Sequence, residues 1–383
     1  MKLAIIGASY LQNPLILKAR EMGVETHVFA WAVGDVGEKT ADYFYPISIV
    51  EKEQILEKCQ EIGIDGITTI ASDLATVAVG YVANRMGLVA NTPECIEKST
   101  NKELMRHAFF ENGDPSPRSF RATEASDFDA SGLQYPVIVK PSDRSGSRGI
   151  TKLYEPSGLK QAIEIAIDES FNNVALVEEF AEGIEYSVEF ISWQGEHRFI
   201  TITEKFTSGA PHFIERGHLE PARLSDETVV RVIAVISHAL DSLGVEYGAS
   251  HSEIKIDVKG NIRIIEIGAR MGGDFIGSDL VQLSTGYDFC RAVIDVALGR
   301  EPEKPLGACG NYAAVRFVFD NEDVEVFKRL ANDDNVKLID ADVRESFDHE
   351  VTDSSSRFGY FLFAGDALEK VEAYLPTHDG EAD

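Results

Sequence analysis

The side chains best placed to do chemistry lie in residues 251–270, HSEIKIDVKGNIRIIEIGAR. Residues 252–257 and 262–267 have the β-rich character of two strands, and Lys259-Gly260 reads as the tight turn between them. With those two residues as the loop, Val258 pairs with Asn261, and counting outward sets Glu253 opposite Glu266. Opposed side chains share a sheet face with Cβ atoms roughly 5 Å apart, where two carboxylates repel. A proton, a neighbouring cation or a bound metal must relieve that repulsion. Lys255 shares the face, and Arg270 follows four residues after Glu266. The pair suits a hard divalent ion such as Mg2+, and it equally suits a solvated hairpin neutralised by Lys255.

Three other segments carry candidate groups. Lys140 ends the apolar run PVIVK and opens PSDRSGSRGI, so an ammonium and the backbone N–H groups around Ser145, Gly146, Ser147 and Gly149 could surround a phosphate chain. This is no Walker A loop, because the lysine precedes the glycines. VEEFAEGIEYSVE places Glu178, Glu179, Gly183 and Glu185 around a strand–turn–strand. It reads either as an acidic exposed hairpin or as an adenine hinge, with main-chain groups of Glu179 and Ala181 on the base and Glu185 on ribose. FIERGHLEPARL puts Arg216 and His218 in a Gly/Pro-containing loop, where the histidine is a base, a carboxylate-binding cation or a surface residue. No Ser/His/Asp or Cys/His signature is present.

The elements that must position these groups fall into three regions. Residues 2–98 alternate strand (KLAIIGA, VETHVFA, GITTIA) with helix, which implies a parallel sheet covered on both faces. The first turn, Gly7-Ala8-Ser9-Tyr10, lacks the GxGxxG spacing of a nicotinamide or flavin site. A helix is predicted over 102–112, then the hairpin PVIVKP/GITKLY, a helix over 157–169, and VALVEEF with YSVEFIS as an antiparallel pair. Ser225 is a good N-cap for a helix with a stripe of Val229, Val232, Ile233, Ile236 and Leu240, ending at Gly244. Residues 278–298 read helical with a break at Gly286, and the tail from Asn311 reads as a small α+β unit. The fold class is therefore α/β followed by α+β.

A chain of 383 residues predicts two or three domains, and 44% hydrophobic with 26% charged residues is a globular composition. No apolar run approaches the roughly 20 residues of a membrane span. The opening MKLAIIGASYLQ is expected to be a first strand rather than a leader. Cys59, Cys95, Cys290 and Cys309 lie far apart, so neither a zinc knuckle nor a disulfide framework is indicated, and a reducing cytoplasm is expected. A net charge of −28 argues against general nucleic-acid binding or anionic membranes.

Taken together and in order, GLVANTPECIEKSTNKELMR, VIVKPSDRSGSRGI, VEEFAEGIEYSVE and HSEIK…IIEIGARMGG resemble the ATP-grasp superfamily of ligases over most of residues 1–305. The resemblance implies an N-terminal α/β domain over 1–98, an ATP-grasp domain of two α+β lobes over 99–305 (lid lobe about 115–183), and a small α+β domain over 306–383. It implies ATP, with Mg2+ (or Mn2+) as the metal. Lys102 and Lys140 would neutralise phosphates under the loop from Ser145 to Gly149. Glu178, Glu179, Phe180 and Ala181 would form the adenine hinge, with Glu185 on ribose. Glu253 and Glu266 would hold metal, and Arg270 would stabilise the transferred phosphoryl group and the oxyanion. One position departs from the pattern, since Gly268 stands where the family often has Asn.

The branch most similar is that of the dipeptide-forming amino-acid ligases, whose substrate-binding histidine and arginine segments FIERGHLEPARL and EIGARMGG resemble. That likeness implies His218, Arg216 and Arg270 at the substrate, with Asp274 favouring a substrate that carries an amino group or positive charge. The expected activity is ATP-dependent joining of a carboxylate, an amino acid above all, to an amine through an acylphosphate. A homodimer is the commonest oligomeric expectation. The competing expectations are a bicarbonate-activating enzyme like the carboxylases and carbamoyl-phosphate synthases, and an ATP-binding module without turnover.

Overall fold

The first ninety residues build a sheet whose strands are apolar on both faces, as a buried parallel sheet requires. The computed structural model describes residues 1–144, 148–210, 212–307 and 310–378. Strands β1 (Lys2–Ile6), β2 (Glu25–Phe29), β3 (Tyr43–Tyr45) and β4 (Gly66–Thr68) pair in parallel in the order β3-β2-β1-β4. Helices Lys52–Ile62 and Asp73–Met86 cover one face through Ile55, Cys59, Ala78 and Val82. On the other face, helix Asn13–Glu21 shares its core with Phe289, Val293 and Ile294 of helix Phe289–Ala297. An element from much later in the chain thus seals the N-terminal sheet.

A second sheet is antiparallel, made of β5 (Ser119–Ala122), β6 (Val137–Pro141), β7 (Thr151–Leu153) and β8 (Ala175–Glu179) in the order β5-β8-β6-β7. Helix Leu159–Glu169 packs on it through Ala162, Ile163 and Ala166. The hairpin expected of PVIVKP and GITKLY forms, with Val137 opposite Leu153.

The third sheet holds eight antiparallel strands: β9 (Ile184–Trp193), β10 (Glu196–Thr207), β11 (Glu215–Glu220), β12 (Gly248–Ile256), β13 (Ile262–Gly268), β14 (Tyr312–Phe317), β15 (Lys337–Val343) and β16 (Gly359–Gly365). Their order is β13-β12-β9-β10-β11-β14-β16-β15. Helix Asp226–Leu243, capped by Ser225 and ended by Gly244 at φ 76, buries Val232, Ile236 and Leu240.

One expectation is corrected here. VALVEEF and YSVEFIS do not pair, because β8 belongs to the small sheet and β9 to the large one. The four residues between them cross from sheet to sheet instead of turning a hairpin. The C-terminal strands extend the large sheet, β14 joining β11.

The carboxylate hairpin closes differently from the two-residue turn but reaches the same pairing. Asp257 N–H donates to Asn261 O at 3.1 Å across a three-residue loop, with Gly260 at φ 77. This is the three-residue turn that needs a left-handed third position. It offsets the register by one, so Ile254 faces Ile264. A bulge at Ile265 then takes up one residue, and Glu253 lies opposite Glu266 after all.

Candidate active site

A cavity of about 410 Å³ opens between the small sheet and the large one. The N-terminal domain reaches it with Leu11 and residues 71–74.

On the small-sheet wall, alternation along β6 sends Ile138 and Lys140 to the face that Glu178 shares on β8. Lys140 Nζ meets Glu178 Oε2 at 2.6 Å. Arg106, on helix Lys102–Asn112, grips the same carboxylate with Nε at 2.8 Å and Nη2 at 3.1 Å. Burial opposes ionisation of Glu178, but Arg106 and then Lys140 outweigh it and hold its pKa at about 2. Burial, with Arg106 and Lys102 near, pulls the Lys140 ammonium down despite Glu178.

Lys102 opens its helix beside the end of β6. Its N–H donates to Ser142 O at 2.8 Å, and its Nζ reaches Glu266 Oε1 and Arg144 O, each at 2.8 Å. Burial works against this ammonium, yet Glu266 first and Asp73 and Glu253 next raise its pKa.

The large-sheet wall is organised by Lys205 on β10. Its Nζ lies 2.6 Å from Glu185, 2.7 Å from Glu253 and 3.8 Å from Glu215. Burial is again outweighed, and these acids hold Lys205 well above the usual lysine range. Glu253 sits well below the carboxylate range, because Lys205 and His251 overcome its burial. His251 is itself raised to about 9, with Glu189 outweighing the desolvation.

Glu253 and Glu266 thus face one another across the hairpin, each paired to a lysine from another element. Both line the cavity. Among the described residues no cluster of three or more His, Cys, Asp or Glu has a metal-holding geometry. The two opposed carboxylates nevertheless fit Mg2+, which binds through one or two carboxylates and completes its shell with water and phosphate oxygens.

At the sheet-to-sheet crossing, Phe180 N–H donates to Pro136 O at 3.1 Å and Glu179 N–H to Arg118 O at 3.0 Å. The Phe180 ring lies 3.5 Å from Lys152 Nζ and 5.1 Å from Lys255 Nζ. Phe180, Ala181 and Glu185 line the cavity together with Ile138, Ile150 and Ile265.

At the far end, His218 lies on β11 and is 1% exposed, so it is a buried strand residue instead of a loop residue. Neither ring nitrogen has a hydrogen-bond partner among the described residues, and burial pushes its pKa down to about 3. The imidazole is neutral at pH 7. Arg216, expected beside it, does not line the cavity. It occupies a β-bulge and turns to Phe319, 5.3 Å from its ring, and towards Asp323. The bulge breaks alternation, so Glu215 and His218 line the cavity together. Asp274 does line it, at φ 47, but its carboxylate is bound by Arg357 at 2.7 Å. The charge expected to select a cationic substrate is already compensated.

Arg270 lines the cavity and pairs with Asp73. Ser145, Gly146 and Ser147 lie outside the described residues. Lys205, Glu215, His251, Arg106 and Asp73 were not singled out from the sequence. Alternation along EHRFITITEKFT was the one local signal for Lys205, and a bulge at Ile200 hides it.

Comparison with known proteins agrees with this architecture. Residues 133–279 match the ATP-grasp domain model. Alanine–anticapsin ligase of Bacillus subtilis is 26% identical over 311 residues, covering 71% of this chain and 65% of that protein. D-alanine–D-alanine ligase of Haemophilus influenzae is 30% identical over 148 residues, 37% of this chain and 47% of that protein. The crystal structure of L-amino acid ligase from Bacillus licheniformis superposes with a TM-score of 0.82 at 23% identity, covering 99% of this chain and 97% of that one. The chain spans about half to two thirds of the length of the first curated relatives it matches. No helix among the described residues is long and apolar enough to cross a membrane. The cavity is lined largely by residues of the matched ATP-grasp domain, and the fold of the whole chain is that of the L-amino acid ligase structure.

Proposed function

We propose that the protein is an ATP-dependent carboxylate–amine ligase that activates an amino acid as an acylphosphate and joins it to an amine. The observation that carries this is the distribution of charge around one cavity. Lys102, Lys140 and Arg270 converge with the opposed pair Glu253 and Glu266, and Phe180 lines the same cavity. Such a wall neutralises a polyphosphate without offering a side-chain nucleophile, and phosphoryl transfer to an acid needs that arrangement.

Glu179, Phe180 and Ala181 would seat adenine, and Glu185 would accept from ribose hydroxyls. Lys102 and Lys140 would exchange their carboxylate partners for phosphate oxygens. When bound on Glu253 and Glu266, Mg2+ supplies charge neutralisation to the phosphates. Arg270 would take up the charge that grows on the transferred group. The acid substrate would lie toward His218, whose neutral imidazole offers one donor and one acceptor to it. The amine would then attack the activated carbonyl as phosphate leaves.

The curated relatives named as ligases of alanine and D-alanine support an amino-acid substrate. The test is a phosphate-release screen of amino acids, singly and in pairs, with MgATP. Release that requires an acid and an amine, and that disappears in Glu266→Gln and Arg270→Ala, is the expected result. Release driven by bicarbonate and indifferent to amino acids would replace this assignment with a carboxyphosphate-forming one. No release with any pair would leave a nucleotide-binding module.

A further inference from the structure

Arg270 is not held by its own hairpin. Its Nε and Nη2 donate to Oδ1 and Oδ2 of Asp73 at 2.8 and 3.1 Å, a two-pronged pair whose acid comes from the N-terminal domain. Asp73 opens helix Asp73–Met86 directly after the N-cap Ser72. The residue before the cap is strapped to the segment that follows Arg270. Ala71, at φ 58, donates its N–H to Met271 O at 3.1 Å. A Cβ built on Gly273 would lie 3.1 Å from Ala71 Cβ, so the two backbones are in close apposition. A non-glycine residue in the left-handed region costs of order 1 kcal/mol and persists only where its surroundings impose it.

Gly268 is the third member of this arrangement. Its backbone is not left-handed, so only space forbids a side chain there. A Cβ would lie 2.9 Å from Asp73 Oδ1, and 3.2 and 3.3 Å from Arg270 Nε and Cζ. A side chain at position 268 therefore requires the Asp73–Arg270 pair to shift. Both partners are mostly buried yet line the cavity, with side chains 16% and 18% exposed for Arg270 and Asp73.

We infer that Asp73 is a positioning residue, supplied by the N-terminal domain, which fixes the plane of the Arg270 guanidinium at the cavity wall, and that position 268 is glycine to admit it. The inference rests on the proposal that Arg270 meets the transferred phosphoryl group. A long flexible arginine gains most from having its fork oriented before the ligand arrives. Two of its donors, along one edge, are spent on Asp73, so the direction of the remaining ones is set by the pair. The N-terminal domain is then part of the phosphoryl-transfer apparatus and more than a platform beside it.

The experiment compares MgADP with the Mg2+ complex of the β,γ-imido analogue of ATP by calorimetric titration of the full chain. Wild type, Asp73→Asn and Gly268→Ala are titrated, each first checked by thermal melting. Gly268→Ala keeps every polar group and displaces the pair only by contact, so it serves even if Asp73→Asn does not fold. Both variants are expected to bind MgADP within about twofold of wild type and the imido analogue about tenfold more weakly, the effect of a misdirected phosphate contact. The double variant should be no weaker than the singles, because both disrupt one pair. An unchanged ratio of the two affinities in both variants, or an equal loss for both nucleotides, overturns the inference and leaves the nucleotide site standing. A wild-type protein that binds neither nucleotide overturns the proposed function, and the inference with it.

Discussion

The two walls of the cavity solve the same problem, burying ions, with opposite surpluses. On the small sheet, Arg106 and Lys140 share the single acid Glu178. On the large sheet, Lys205 serves Glu185, Glu215 and Glu253, and His251 is shared between Glu253 and Glu189. The first cluster keeps a cation to spare, and the second keeps two anions to spare. A buried ion is costly unless paired, so under the proposed function phosphate would lie against the first wall and a metal ion or ammonium against the second.

Breaking the first cluster at its centre should have the largest effect. Glu178→Gln leaves Arg106 and Lys140 buried without their anion, and a loss of about 3–5 kcal/mol in urea unfolding is expected. A loss below about 1 kcal/mol would mean that water or backbone already satisfies the two cations.

Next come the substitutions that remove each surplus. Lys140→Met should lower ADP formation about 10²-fold and weaken MgATP, with the Mg2+ requirement unchanged. Glu253→Gln should lower it comparably while raising the Mg2+ concentration needed. The two clusters are not functionally distinct if both variants respond to Mg2+ alike.

The acid surplus of the large sheet continues behind the cavity, where Glu220 shows a smaller, pH-dependent effect. Burial first and Glu189 next raise Glu220 to about 8, against the hydroxyls of Thr203 and Ser284. From its ordinary value of 4.5 up to about 8, the unfolded chain gives up a proton that the folded chain keeps. The stability this provides is complete below the lower value and is lost as pH rises through the upper one. Glu220→Gln carries no such proton, so its unfolding free energy in urea should gain on wild type between pH 5 and pH 8, by about 1–3 kcal/mol. Parallel pH profiles for the two proteins would show that Glu220 is ionised.

The smallest effect is expected outside both clusters. Gly260→Ala puts a Cβ at φ 77 in the hairpin loop and should cost about 1 kcal/mol. ADP formation should hold, because the Ile265 bulge sets the register of Glu253 and Glu266 nearer the cavity. A fall in turnover would show that the loop itself fixes that register.

Comparing two hairpins shows how much of the site could be read in advance. Counting outward from Lys259-Gly260 put Glu253 opposite Glu266 because two departures cancel, a loop one residue longer and a bulge at Ile265. The same count from Gln194-Gly195 sets Glu204, not Lys205, against Glu185, since the bulge at Ile200 is uncompensated. In the structure Glu204 turns away to Arg223, and Lys205 enters the cavity. Arg216 fails for a related reason, a bulge in β11. Register follows from the period of two, and a single inserted residue inverts it.

Local composition determined the parallel first sheet, the helix caps at Ser225 and Gly244, and the lysine and carboxylates that open or end strands, because each follows from neighbours within a few residues. It could not determine that Arg106 and Lys140 share Glu178, that Arg357 takes the charge of Asp274, or that Asp73 reaches Arg270. Those pairings join residues dozens to nearly two hundred positions apart. Only the packing of three sheets brings them within the few ångströms over which ions choose partners.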